Sequence, residues 1–123
     1  MTKAITAIKL HWFACTLTIL VAITVLSLWP LDEFAGVPGT DKTHHLIAYA
    51  LLMLPAALRK PHNWLAYGCF FIAYSGAIEL IQPFFNRYAE WLDMFANTAG
   101  VFLGVIAAKL IDLVVADKQA GSK

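Results

Sequence analysis

The chain has 123 residues, of which 60% are hydrophobic and 14% charged, with a mean hydropathy of +0.68 and a net charge of +1. Soluble domains carry about 25% charge and about 45–50% apolar residues, and a single domain this small leaves too much surface exposed to hide the excess. The composition argues against a water-soluble globule and against disorder. The low net charge argues against a nucleic-acid partner, and two cysteines make no disulfide framework.

The charges divide the chain into four apolar segments, which predict membrane spans at about 11–29, 43–58, 62–82 and 94–116. A bilayer core takes about 20 helical residues, with a range near 17–25. Residues 43–58 and 94–108 are short by that count, and flanking residues extend each of them. No alternating ten-residue pattern of a membrane barrel is present, so the spans read as helices. Trp29-Pro30 closes the first span, Arg59-Lys60-Pro61 makes a hairpin between the second and third, and Gln82-Pro83 closes the third. Trp12, Trp29, Trp64 and Trp91 all fall near span ends, where amphipathic rings prefer to sit. The first span reads as an uncleaved anchor, because its apolar run is longer than that of a signal peptide and Ser27-Leu28-Trp29 is no small-residue cleavage site. Cys15 and Cys69 read as buried apolar thiols, and the polar tail 117–123 is expected to be mobile.

Basic residues set the orientation. With both termini on one side, that side holds Lys3, Lys9, Arg59, Lys60, Lys109, Lys118 and Lys123, against Lys42 and Arg87 on the other. The positive-inside rule then places both termini in the cytoplasm. The fold class expected is an all-α integral-membrane four-helix bundle in the inner membrane.

Ionisable groups in membrane segments are costly, and here they gather at one depth. Asp41, His45 and Tyr49 are spaced i, i+4, i+8, with Lys42 beside them. Glu79 and Gln82 are i, i+3, and Asp93 and Asn97 are i, i+4. Three helices thus each carry a polar stripe at the outer end, and lipid cannot satisfy those stripes, so they turn toward each other. Arg87, in the loop joining two of them, is placed to pair with Glu79 or Asp93. Ordinary alternatives stand beside this reading: Asp41 and Asp93 as helix caps, Lys42 and Tyr49 as interface residues, and Gln82 and Asn97 as interhelical hydrogen bonders. Ala96, Gly100, Gly104 and Ala108 form a ridge of small residues at four-residue spacing. It suits close helix packing within a monomer or, alternatively, a homodimer seam.

Asp41-Lys42-x-x-His45-x-x-x-Tyr49, followed by Glu79-x-x-Gln82, Arg87 and Asp93-x-x-x-Asn97-x-x-Gly100-x-x-x-Gly104, resembles the two signatures of the VanZ-like family of small membrane proteins. The resemblance covers about residues 10–116, and the whole chain, 1–123, then reads as one VanZ-like transmembrane domain. It implies a bacterial cell-envelope protein of a family linked to teicoplanin resistance, with a polar site at the outer end. It supplies no reaction.

Three functions fit. The first is binding of an envelope lipid or lipid-linked anionic precursor, gripped by Lys42 and Arg87 and oriented by His45, Glu79, Gln82 and Asn97. The second is an enzyme acting on an outer-leaflet lipid-linked substrate, with His45 or Glu79 as acid or base and Arg87 stabilising negative charge. The third is a scaffold without catalysis. Ser75 lacks the context of a nucleophile, and no cofactor or dense metal motif is present, although His45, Glu79 and Asp93 are the ligand types a divalent ion takes.

Overall fold

The computed structural model describes residues 2–29, 41–85 and 90–121. Within them the protein is helical: α1 (Thr2–Leu10), α2 (Trp12–Leu28), α3 (Asp41–Arg59), α4 (Trp64–Ile81), a 3-10 turn (Gln82–Phe85) and α5 (Trp91–Gly121). Each tryptophan marks a helix end, as the sequence predicts.

Two of the helical segments, Trp64–Phe85 and Trp91–Gly121, are long and apolar enough to cross a bilayer. A third qualifies when α1 and α2 are counted as one span, but the two are bent by 80° at His11. The helix α1, over residues before the expected first span, is therefore a separate element. Its Ile8 packs on the core, and Lys9 donates from it to Asp112 of α5 at 3.3 Å. At 31 residues, α5 is roughly 46 Å long at 1.5 Å per residue, well beyond a hydrocarbon core of about 30 Å. It carries the tail in helical form as far as Gly121, which corrects the expectation of a mobile tail from residue 117.

α3 forms where the second span was expected but does not qualify as an apolar span, since Asp41, Lys42, His44, His45 and Arg59 lie on it. The reason lies in its position. Tyr49, Leu52, Met53, Ala56, Ala57 and Leu58 are all buried, so one side of this helix packs on protein, while Ile47 and Leu51 on the other side are exposed. A helix packed on its neighbours along one side has less need of an all-apolar surface. Lys60 ends it at φ +51°, in the left-handed region, with its N–H donating to the Ala56 carbonyl at 2.8 Å. That closure is one usually made by glycine, and it produces the predicted hairpin into α4.

The small-residue ridge faces α3. A Cβ on Gly104 would stand 2.6 Å from the Ala50 carbonyl oxygen, and one on Gly100 would collide with the carbonyl of Leu46. Gly100, Gly104 and Ala108 are buried there and Ala96 half-buried. The ridge is thus occupied within the monomer, so a homodimer seam on the same residues would have to displace α3. Cys15 is half-buried and Cys69 exposed, rather than both being buried. Cys69 lies on a face of α4 that also shows Leu65, Phe70 and Leu80, the surface a bilayer would cover.

Ion pairs define two ends. Lys9 and Lys60 both reach Asp112, at 3.3 and 3.9 Å, at the first end. Lys42 meets Glu90 and Asp93 at the second.

Candidate functional site

The second end is built by α3, α4 and α5. The tight seam at Gly100 and Gly104 brings α3 against α5, so the polar residues one to two turns above it meet. His45 Nδ1 lies 2.9 Å from Asn97 Oδ1, and His45 Nε2 lies 3.9 Å from Asp93 Oδ2. With the Asn97 oxygen accepting, Nδ1 carries the proton and Nε2 is the nitrogen turned toward Asp93. The Lys42 ammonium sits over the same carboxylate, 3.7 Å from Asp93 Oδ1, and donates to Glu90 Oε2 at 2.9 Å. Asp93 and Asn97 are buried, and the His45 side chain is 11% exposed. The neighbouring His44 is exposed.

Asp93 is the third residue of α5 rather than its cap. The N–H of Glu90, just before the helix, donates instead to Glu79 Oε2 of α4 at 3.0 Å. A carboxylate from one helix therefore satisfies a donor at the start of another, which is also where the helix dipole favours negative charge. Glu79 is buried at 3% exposure. Gln82 is buried too, and its Nε2 donates to the Ser27 carbonyl at 3.0 Å, tying the end of α2 to the site. The Tyr49 hydroxyl and Gln82 Oε1 are buried with no hydrogen-bond partner among the described residues. Tyr49 lies within electrostatic reach of Glu79 and Tyr74, and the Tyr74 hydroxyl shares a hydrogen bond with Thr24 of α2. Each of these polar groups lies at the same end as the His45 cluster.

The described site thus joins Lys42, His45, Asp93 and Asn97 directly, and Glu79 to them through Glu90. Tyr49 and Gln82 are buried beside Glu79. Arg87 and the side chain of Asp41 lie outside the described residues. No group of three or more His, Cys, Asp or Glu side chains placed to hold a metal occurs among the described residues.

A family model described as VanZ/LLP1 matches residues 2–112, which takes in every residue of this cluster. The chain belongs to the VanZ/LLP1 family. Comparison with curated proteins and with solved structures found no match. Family membership and the apolar helices together mark the chain as a membrane protein.

Sequence reasoning about this VanZ/LLP1 chain missed Glu90 as a member of the site, although it is the residue that links Lys42 to Glu79. One signal was available: Glu90 lies three residues before Asp93, which puts it next to the start of the same helix and near that carboxylate. The link from Gln82 to a backbone carbonyl of α2 had no sequence signal at all, since any residue at position 27 supplies the same oxygen.

Proposed function

We propose that this VanZ/LLP1 protein is a four-helix protein of the bacterial inner membrane, with both termini in the cytoplasm. On this reading its second end opens outward and holds the polar headgroup of an envelope lipid or lipid-linked precursor. The basic residues at the first end support that orientation.

One observation carries the reading. Lys42 is a cation with an exchangeable partner, set directly above a buried polar cluster. Its ion pair with Glu90 is about half exposed on both sides, so breaking it costs little. A phosphate on the headgroup replaces Glu90 as the partner of Lys42, while hydroxyl or amine groups donate to Asp93. The cluster orients the headgroup, and the apolar outer faces of the helices keep its tail in lipid. If the lipid is a cell-wall precursor, the link of the family to glycopeptide resistance follows from the same site. Native mass spectrometry of purified protein tests this: Lys42→Ala should lose lipid adducts that the wild type retains, and equal adducts would remove the headgroup grip.

A second reading rests on the His45–Asn97 contact. Nδ1 is held at 2.9 Å, so the imidazole has one fixed orientation and Nε2 is the atom that takes or gives a proton. A hydroxyl or water lying beside the 3.9 Å gap between Nε2 and Asp93 reaches both groups. On that reading His45 is a general base toward a lipid-linked substrate, and Glu79, engaged with the start of α5, is the weaker candidate. Conversion of a labelled envelope lipid by wild type and not by His45→Ala would separate catalysis from binding.

A further inference from the structure

A groove of about 440 Å³ lies between α2 and α4, in the half of the protein nearer the first end and away from the polar cluster. Its volume is within the range of small-ligand sites, near 300–1,000 Å³. The walls are Phe13, Leu17 and Leu20 on one side and Ala66, Phe70 and Phe71 on the other, and Trp12 and Tyr67 meet edge to face across the two helices. Polarity runs along it. Asn63, at the turn before α4, lies at the end nearest the ion pairs, and the aromatic and aliphatic residues lie deeper. An occupant must therefore be polar at one end and apolar along its length.

Two further features specify that occupant. Thr16 lines the groove, and its hydroxyl has no hydrogen-bond partner among the described residues. The hydroxyls of Thr6, Thr18, Thr24 and Thr98 all donate to the carbonyl four residues earlier. Thr16 thus retains a hydrogen that a rotation about χ1 presents to an acceptor about one turn inside the mouth. An ester carbonyl of a glycerolipid lies at such a depth. At the mouth, Lys9 and Lys60 share the single carboxylate of Asp112, which leaves surplus positive charge within a few residues of Phe13 and Asn63.

We infer that the α2–α4 groove binds one acyl chain of an anionic glycerophospholipid from the leaflet at the first end, with its ester group at Thr16 and Asn63. This site is separate from the headgroup site proposed at the second end and does not depend on it. The test uses the full chain in detergent, titrated with phosphatidylglycerol or phosphatidylcholine and read by native mass spectrometry. Phosphatidylglycerol should be retained in preference to phosphatidylcholine. Ala66→Trp and Leu17→Trp fill the groove from opposite walls at exposed positions, so each is expected to leave the fold intact. Each should weaken phosphatidylglycerol retention by about tenfold, the effect of displacing about two methylene groups. All proteins carry Lys42→Ala, so that adducts at the second end do not contribute, and Leu103→Trp, exposed on α5 outside the groove, should leave retention unchanged. Retention that survives either filling in a folded variant would overturn the inference, as would an equal loss on Leu103→Trp. A dimer that dissociates on filling, with lipid retention unchanged, would likewise overturn it by assigning the groove to a second copy.

Discussion

His45 of α3 and Asn97 of α5 are held 2.9 Å apart, and this contact joins the two most closely packed helices at the level of the polar cluster. Leaving a buried donor unsatisfied costs about 1–3 kcal/mol, whereas removing both partners can be nearly neutral. Asn97→Leu is therefore expected to lower stability by that amount, and His45→Leu combined with Asn97→Leu to recover part of it. Thermal unfolding in detergent, followed by circular dichroism, checks this. Strictly additive losses would show that the two side chains do not interact.

The glycines separate into two groups. At Gly100 and Gly104 a Cβ would strike backbone carbonyls of α3, which cannot move without shifting the helix. Gly100→Ala and Gly104→Ala should each destabilise by about 1–3 kcal/mol. At Gly76 the nearest atom is the flexible end of Met94, at 3.2 Å, and at Gly68 a Cβ would make ordinary contacts at 3.5 Å or more. Gly68→Ala and Gly76→Ala should be neutral or stabilising, because alanine is favoured over glycine in a helix by about 1 kcal/mol. A unfolding series over the four variants decides the point.

Lys60 stands at φ +51° where glycine has no steric penalty. Its ion pair with Asp112 is long, at 3.9 Å, and the lysine is about half exposed, so little is lost with the side chain. Lys60→Gly should raise stability by roughly 1 kcal/mol, within the cost of about 1–2 kcal/mol for a left-handed residue with a side chain. A lowered unfolding midpoint would mean that the Asp112 pair outweighs the backbone cost.

Glu79 accepts from the Glu90 N–H, and an amide oxygen can do the same. Glu79→Gln should stay close to wild type in stability, while Glu79→Leu should lose about 1–3 kcal/mol. If the two variants unfold alike, the charge of Glu79 rather than its hydrogen bond is what the structure uses.

Much of this arrangement is legible in the sequence because bilayers impose strong patterning. The span ends follow from Trp12, Trp29, Trp64 and Trp91, and the ridge through Gly100 and Gly104 follows from its four-residue spacing. The i, i+4 pairs on α3 and α5 already name His45, Asp93 and Asn97 as one cluster. Other features depend on tertiary neighbours that periodicity does not encode. The 80° bend at His11 has no proline or glycine to announce it. The burial of one side of α3 depends on which helices lie against it, and the same is true of the capping of α5 by Glu79 and of the α2–α4 groove.

The central claim is that the second end holds a lipid headgroup through Lys42. The most direct measurement is photocrosslinking in intact membranes from position 44, where His44 is exposed beside the cluster. A photoreactive residue there should capture a phosphate-bearing lipid, and Lys42→Ala should abolish the capture in protein that still unfolds cooperatively. Identical lipid capture with and without Lys42 would contradict the account.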